Sequence, residues 1–162
     1  MEFRDLYNDA RIFTGEIIEK SKPVPRGKYY ITVMVFIENS KSDILLQKRS
    51  KEKGGQWATT GGHPKAGETS IQGMCTEIKE EIGVAVKEKE LKLFKTIKTE
   101  DDFVDLYYLQ KDIDIHNIKI QEEEVQDVKW FSKIEINEMI KNNEFFKWHI
   151  DVYNDFLNFI NR

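Results

Sequence analysis

Gly62-His63-Pro64-Lys65-Ala66-Gly67-Glu68, followed after eight residues by Glu77-Ile78-Lys79-Glu80-Glu81-Ile82-Gly83-Val84, is the stretch whose reading decides the fold. Between the two blocks Thr69 and Gln72 have the spacing of a helix capping box, and Ile71, Met74, Cys75, Ile78 and Ile82 recur at helical intervals up to Gly83. A glycine-bearing loop is therefore expected to feed an amphipathic helix that ends at Gly83. On that helix Glu77, Glu80 and Glu81 fall three and four residues apart, where like charges repel. Such a cluster is poor surface design and good ligand design. Hard carboxylate oxygens beside an open loop suit Mg²⁺ or Mn²⁺, and Gly61 and Gly62 allow a close approach of backbone to a bound group.

Working outward, residues 29–37 form a near-continuous β-branched and aromatic run, the pattern of a strand covered on both faces. It is the central-strand candidate. Residues 39–43 should turn the chain into a second strand at 44–48, and Gly54-Gly55 opens a turn before Trp57. Upstream, residues 10–18 read as a short strand pair reversing at Thr14-Gly15. Downstream, residues 91–97 and 103–109 read as a hairpin, 125–131 as a strand, and 134–140 and 150–160 as helices. Strands on both sides of an early helix, with more helix at the end, predict an α/β fold in which helices sandwich a mixed β-sheet. No repeat or linker divides the chain, so residues 1–162 are read as one domain.

Composition narrows the function classes. A net charge of −4 argues against a nucleic acid polymer or an anionic membrane as partner, so a phosphate-bearing ligand needs metal or a local basic pocket. The single cysteine, Cys75, excludes an internal disulfide and reads as a small buried hydrophobe. The start of the sequence lacks an apolar signal region and no stretch is long enough to span a bilayer, so a cytoplasmic protein is expected. The sequence leaves the choice between monomer and homodimer open.

The two blocks resemble the signature of the Nudix hydrolases, in which a glycine, five residues, a glutamate and seven residues precede R-E-U-x-E-E-x-G-U, U being aliphatic. Gly62, Glu68, Glu77, Ile78, Glu80, Glu81, Gly83 and Val84 each fall on their slots. The resemblance implies an α/β/α sandwich and water-dependent cleavage of a nucleoside diphosphate derivative or related small diphosphate. It assigns Glu77 and Glu80 to catalysis, Glu77, Glu80 and Glu81 to metal, and Glu68 to a supporting polar contact. It also recruits a downstream carboxylate, Glu124, although the run Glu122 to Glu124 by itself reads as solvated surface. Arg49 and Lys53 are candidates for phosphate contact, with Gly61, Gly62 and His63 lining the substrate. Phe36, Trp57, Phe103 and Tyr107 are candidates for a stacking face.

Two departures matter. Thr76 stands where the family carries an arginine that holds a catalytic glutamate, which predicts a weaker orienting contact and keeps a non-catalytic nucleotide-sensing module as a rival. Trp57, Gly62-His63-Pro64 and Gly67-Glu68 also resemble the family branch of isopentenyl-diphosphate isomerase. That enzyme, however, has a catalytic cysteine where this chain has Gly61 and a histidine ligand where it has Tyr30. Hydrolysis is the expectation.

Overall fold

The computed structural model describes residues 1–161. The chain opens with a hairpin of β1 (Phe3–Tyr7) and β2 (Phe13–Glu19). Its reversal lies at residues 8–12, not at Thr14-Gly15 as the sequence suggested. The Asn8 side chain accepts from the backbone N–H groups of Ala10 and Ile12, and Arg11 adopts a left-handed φ of 62°, so an Asx-type turn closes the loop. Gly15 sits within β2 at φ 84°, opposite the register shift between Asp5 and Tyr7. The glycine thus marks a bulge, which carries the same local composition as a turn.

There follow β3 (Tyr30–Glu38), β4 (Ile44–Arg49), the short strands β5 (Trp57–Ala58) and β6 (Thr60–Gly62), and helix α1 (Ser70–Ile82). After α1 come β7 (Lys92–Lys98), β8 (Asp102–Gln110), β9 (Val125–Phe131), α2 (Lys133–Lys141) and α3 (Ile150–Ile160). All elements expected downstream of residue 28 are present. The sheet is mixed: β8 runs parallel to β3 from Tyr30↔Asp102 to Glu38↔Gln110, and β7 pairs antiparallel at its outer side.

The feature that makes the site is a split. β3 and β4 pair only at Glu38↔Ile44, beside their connecting turn, and then part. β6 takes the vacated side of β3, while β4 pairs with β5 on one side and β9 on the other. The segment from Trp57 to Gly62 thereby fills the wedge between two diverging strands and ends at the N-terminal loop of α1.

Strand alternation sorts the core into two layers. Ile31, Val33, Val35 and Ile37 of β3 meet Met74, Ile78 and Ile82 of α1, while Phe36 meets Ile136, Met139, Val152, Tyr153 and Phe156 of α2 and α3. On that second face Phe36 stacks on Phe156 at 4.7 Å between ring centroids. The result is the α/β/α sandwich that the sequence predicted. Helix α1 begins with a reciprocal capping box, in which Thr69 Oγ1 accepts from the Gln72 N–H and Gln72 Oε1 accepts from the Thr69 N–H, and ends at Gly83 with φ 71°. A Cβ on Gly73 would collide with the Pro64 ring, so this glycine lets the helix seat directly on the loop that precedes it. Among the described residues no helix is long and apolar enough to cross a membrane.

Candidate active site

Burying the apolar stripe of α1 against β3 turns its glutamates toward the mouth of the wedge. Two confluent hollows open there, of about 250 and 260 Å³, sharing Lys53, Gly61, Gly62, His63, Glu81 and Glu124. Glu77 and Glu80 line the second, and Arg49 lines the first. The structure therefore brings together every sequence-selected catalytic, metal and phosphate-contact residue except Glu68.

The four cleft carboxylates divide into two kinds. Glu80 accepts from Lys65 Nζ at 2.7 Å and Glu124 is ion-paired with Lys53; these pairs are partly exposed. Glu77 and Glu81 form no ion pair among the described residues and feel lysines only from a distance. A Cβ on Gly62 would overlap the carboxyl group of Glu77, so that glycine is the cradle in which Glu77 rests. Burial, then the neighbouring charge of Glu80, pushes Glu77 up to about 7. Glu81 is only 6% exposed, and burial pushes it up to about 8 despite one hydrogen bond from Gln47 Nε2 at 2.8 Å. Its second oxygen, Oε2, is buried with no donor among the described residues, and the Glu81 carboxyl lies within hydrogen-bond reach of the Glu77 carboxyl, which raises it further. An orphaned carboxylate oxygen in a polar cleft is a costly arrangement that an added cation or proton relieves. Among the described residues no three His, Cys, Asp or Glu side chains converge as a ready-made cage. The hard oxygen donors are present around the cleft, with Lys65 and Lys53 each holding one of them.

Glu68 faces elsewhere. Its Oε1 accepts from the Lys65 N–H at 2.7 Å and its Oε2 from Thr76 Oγ1 at 2.6 Å, fixing the loop to α1. Thr76 is thus a short neutral tie to the loop in the slot where the family has a long charged one. The proposed stacking face also dissolves: Phe36, Phe103 and Tyr107 are buried, and Trp57 packs edge-on against Phe131. Strand aromatics with two covered faces belong to the core. The aromatic that lines the cleft is Phe146, over which the Arg49 guanidinium lies at 3.7 Å. His149 lies beside it, pushed down to about 4 by burial and by Arg49.

Sequence reasoning missed Gln47, Phe146, His149, and Glu2 and Lys20 from the N-terminal hairpin. Only Gln47 carried a local signal, a lone amide in the otherwise apolar opening of β4. The rest arrive by long-range packing.

A NUDIX domain model matches residues 28–156, which contain the split sheet, the loop and α1. The chain belongs to the NUDIX domain family. It is 30% identical over 149 residues to an uncharacterized Nudix hydrolase of Listeria monocytogenes, covering 90% of this chain and 88% of that one. A crystal structure from Deinococcus radiodurans superposes with a TM-score of 0.72 at 21% identity, covering 89% of this chain and 91% of its own. The chain is also 35% identical to an isopentenyl-diphosphate Delta-isomerase of Pectobacterium atrosepticum, but over 72 residues only, 42% of this chain and 40% of that one. This Nudix protein is accordingly a hydrolase acting on pyrophosphate bonds, with a partial likeness to the isomerase branch.

Proposed function

We propose that this protein is a divalent-metal-dependent hydrolase that splits the diphosphate linkage of a nucleoside diphosphate derivative or related small molecule. The observation that carries the reading is the partnerless buried oxygen of Glu81 beside the desolvated carboxyl of Glu77. Glu77, Glu80 and Glu81 would hold Mg²⁺ or Mn²⁺, with Glu124 completing the set across the cleft. When bound, such an ion neutralises phosphate charge and acidifies water. Lys65 and Lys53 pair with the outer carboxylates and, with an ion holding those carboxylates, would be available to substrate phosphates. Arg49, held over the Phe146 ring, has no hydrogen-bonded carboxylate among the described residues and would offer its N–H groups to phosphate oxygens. Gly61 and Gly62 bring backbone against the diphosphate, and His63 borders it. The Glu77 carboxylate, seated against Gly62 at the cleft, would take the proton of the attacking water. The water oxygen bonds to phosphorus, the bridging oxygen departs, and the proton rests on Glu77.

The isomerase alternative lacks its acid–base group, because Gly61 has no side chain and Cys75 lies on α1 facing the core cluster. The test is a panel of nucleoside di- and triphosphates, nucleotide sugars and dinucleotides, incubated with metal-stripped protein and then with added Mg²⁺ or Mn²⁺. Phosphate or nucleotide release should require the ion. Turnover in excess chelator would remove the metal from the reading. Conversion of isopentenyl diphosphate to its isomer would replace the class, and metal-dependent ligand binding without turnover would mark a sensing module.

A further inference from the structure

His63 is the one cleft residue whose hydrogen bonds determine which ring nitrogen carries the proton. Its Nδ1 lies 3.3 Å from the carbonyl oxygen of Ile31 and 3.3 Å from Thr32 Oγ1. A carbonyl can only accept. The Thr32 hydroxyl has one hydrogen, and that hydrogen is directed at 2.6 Å to Oδ2 of the buried Asp102, at the start of β8. The other Asp102 oxygen accepts from Thr99. Both neighbours of Nδ1 are therefore acceptors, and Nδ1 must donate. Nε2 is then the bare nitrogen. It has no hydrogen-bond partner among the described residues, nor is it sealed from the cleft, whose two hollows His63 lines. Tyr30 packs edge-on against the ring at 5.1 Å and fixes its tilt. The parallel pairing of β3 with β8 sets Asp102 beside Tyr30 and Phe103 beside Ile31, so the relay is a product of the sheet register.

We propose that Asp102, acting through Thr32, holds His63 in the Nδ1–H tautomer so that its Nε2 lone pair accepts a hydrogen bond from the attacking water. This rests on the hydrolase reading above. One hydrogen of the water goes to Glu77 and the other to Nε2, which turns an oxygen lone pair toward phosphorus. Asp102 and Thr32 are positioning residues; His63 touches the reacting molecule. No proton is transferred to His63.

Two measurements test this. Long-range ¹H–¹⁵N correlation on labelled protein, with His63 assigned by its loss in His63→Gln, reads the tautomer directly and needs no substrate. Wild type should show Nδ1 protonated and Nε2 bare, and Thr32→Val, which leaves only the 3.3 Å contact to the Ile31 carbonyl to hold the Nδ1 proton, should admit a detectable Nε2–H fraction. An Nε2–H wild type overturns the proposal, and an unchanged tautomer in Thr32→Val overturns the part assigned to Thr32 and Asp102. The second measurement is turnover of ADP-ribose with Mg²⁺. Glutamine places an amide oxygen near the position of Nε2, whereas asparagine reaches only the position of Nδ1. His63→Asn should lose about tenfold in kcat at nearly constant KM, and His63→Gln, which returns an acceptor near the Nε2 position, should recover a large part of that loss. The reverse ranking, or equal losses in the two variants, overturns the acceptor role. Failure of wild type to hydrolyse any compound of the panel counts against the hydrolase reading and with it the water contact, while the spectrum still decides the tautomer.

Discussion

Two buried carboxylates flank the same sheet and helix, and they are opposite in every respect that separates structure from chemistry. Asp105 on β8 is 1% exposed, and burial alone would raise it. Yet Arg11 donates to it through both terminal nitrogens, and Ser70 and Thr96 add hydroxyl donors, so its carboxyl is held below the ordinary range. Glu81 on α1 is 6% exposed, has one amide donor, an orphaned oxygen and a raised carboxyl. The first is a closed network that ties the N-terminal hairpin to the sheet. The second is left open on the side where the cleft lies. Equal burial with unequal satisfaction is what distinguishes a strut from a binding group.

The contrast is broken most severely by removing each carboxylate. Asp105→Ala should cost about 2–3 kcal/mol in urea unfolding, because it strands the half-buried Arg11 and two hydroxyls, while activity per folded molecule changes little. Glu81→Gln should do the converse, lowering turnover by about 100-fold or more while leaving the metal-free protein as stable or more so. Equal stability losses from the two variants would erase the distinction.

A finer probe is pH. Folded Glu77 and Glu81 keep their protons up to about 7 and 8, whereas the unfolded chain releases them near 4.5. The folded state then binds more protons between those limits, so stability of the metal-free protein should fall as pH rises through that window. His63 and His149, both pushed down to about 4, oppose this with a rising contribution whose slope fades over about one unit above 6.5 and stays smaller than the combined glutamate effect. From pH 6.5 to 8 the melting temperature in chelator should therefore decline, and the decline should be shallower in Glu81→Gln. A matching slope in the variant would mean that Glu81 is not the titrating group.

Glu68 gives the smallest effect and the sharpest classification. Both its oxygens have donors, so it belongs with Asp105 despite its place in the motif. Thr76→Val, which removes one donor, should lower stability by about 0.5–1.5 kcal/mol and leave the metal-induced rise in melting temperature intact. Loss of that rise would move Glu68 into the metal site.

Local chemistry made most of this legible in advance. The capping box, the apolar stripe and the terminal glycine of α1 act within a few residues of one another, and so do the β-branched run of β3 and the glutamate spacing. Gly62 was readable as a close-approach position, although not as the seat of Glu77. The turn assigned to Thr14-Gly15 failed because a bulge and a turn both ask for a positive φ, and only strand pairing tells them apart. The stacking aromatics failed because a strand aromatic is cleft or core according to what covers its face, which is decided by α2 and α3.

By itself, then, the sequence determined the sandwich, the helix and which glutamates share its polar face, since periodicity and capping are short-range physics. Tertiary structure alone decided how those glutamates differ. The parting of β3 from β4 opened the wedge, Gln47 and Gly62 took up positions against Glu81 and Glu77, two lysines paired with the outer carboxylates, and β8 set Asp102 behind Thr32 and His63. Desolvation and hydrogen-bond completeness depend on every neighbour in space, and those neighbours come from strands and loops far apart in the chain.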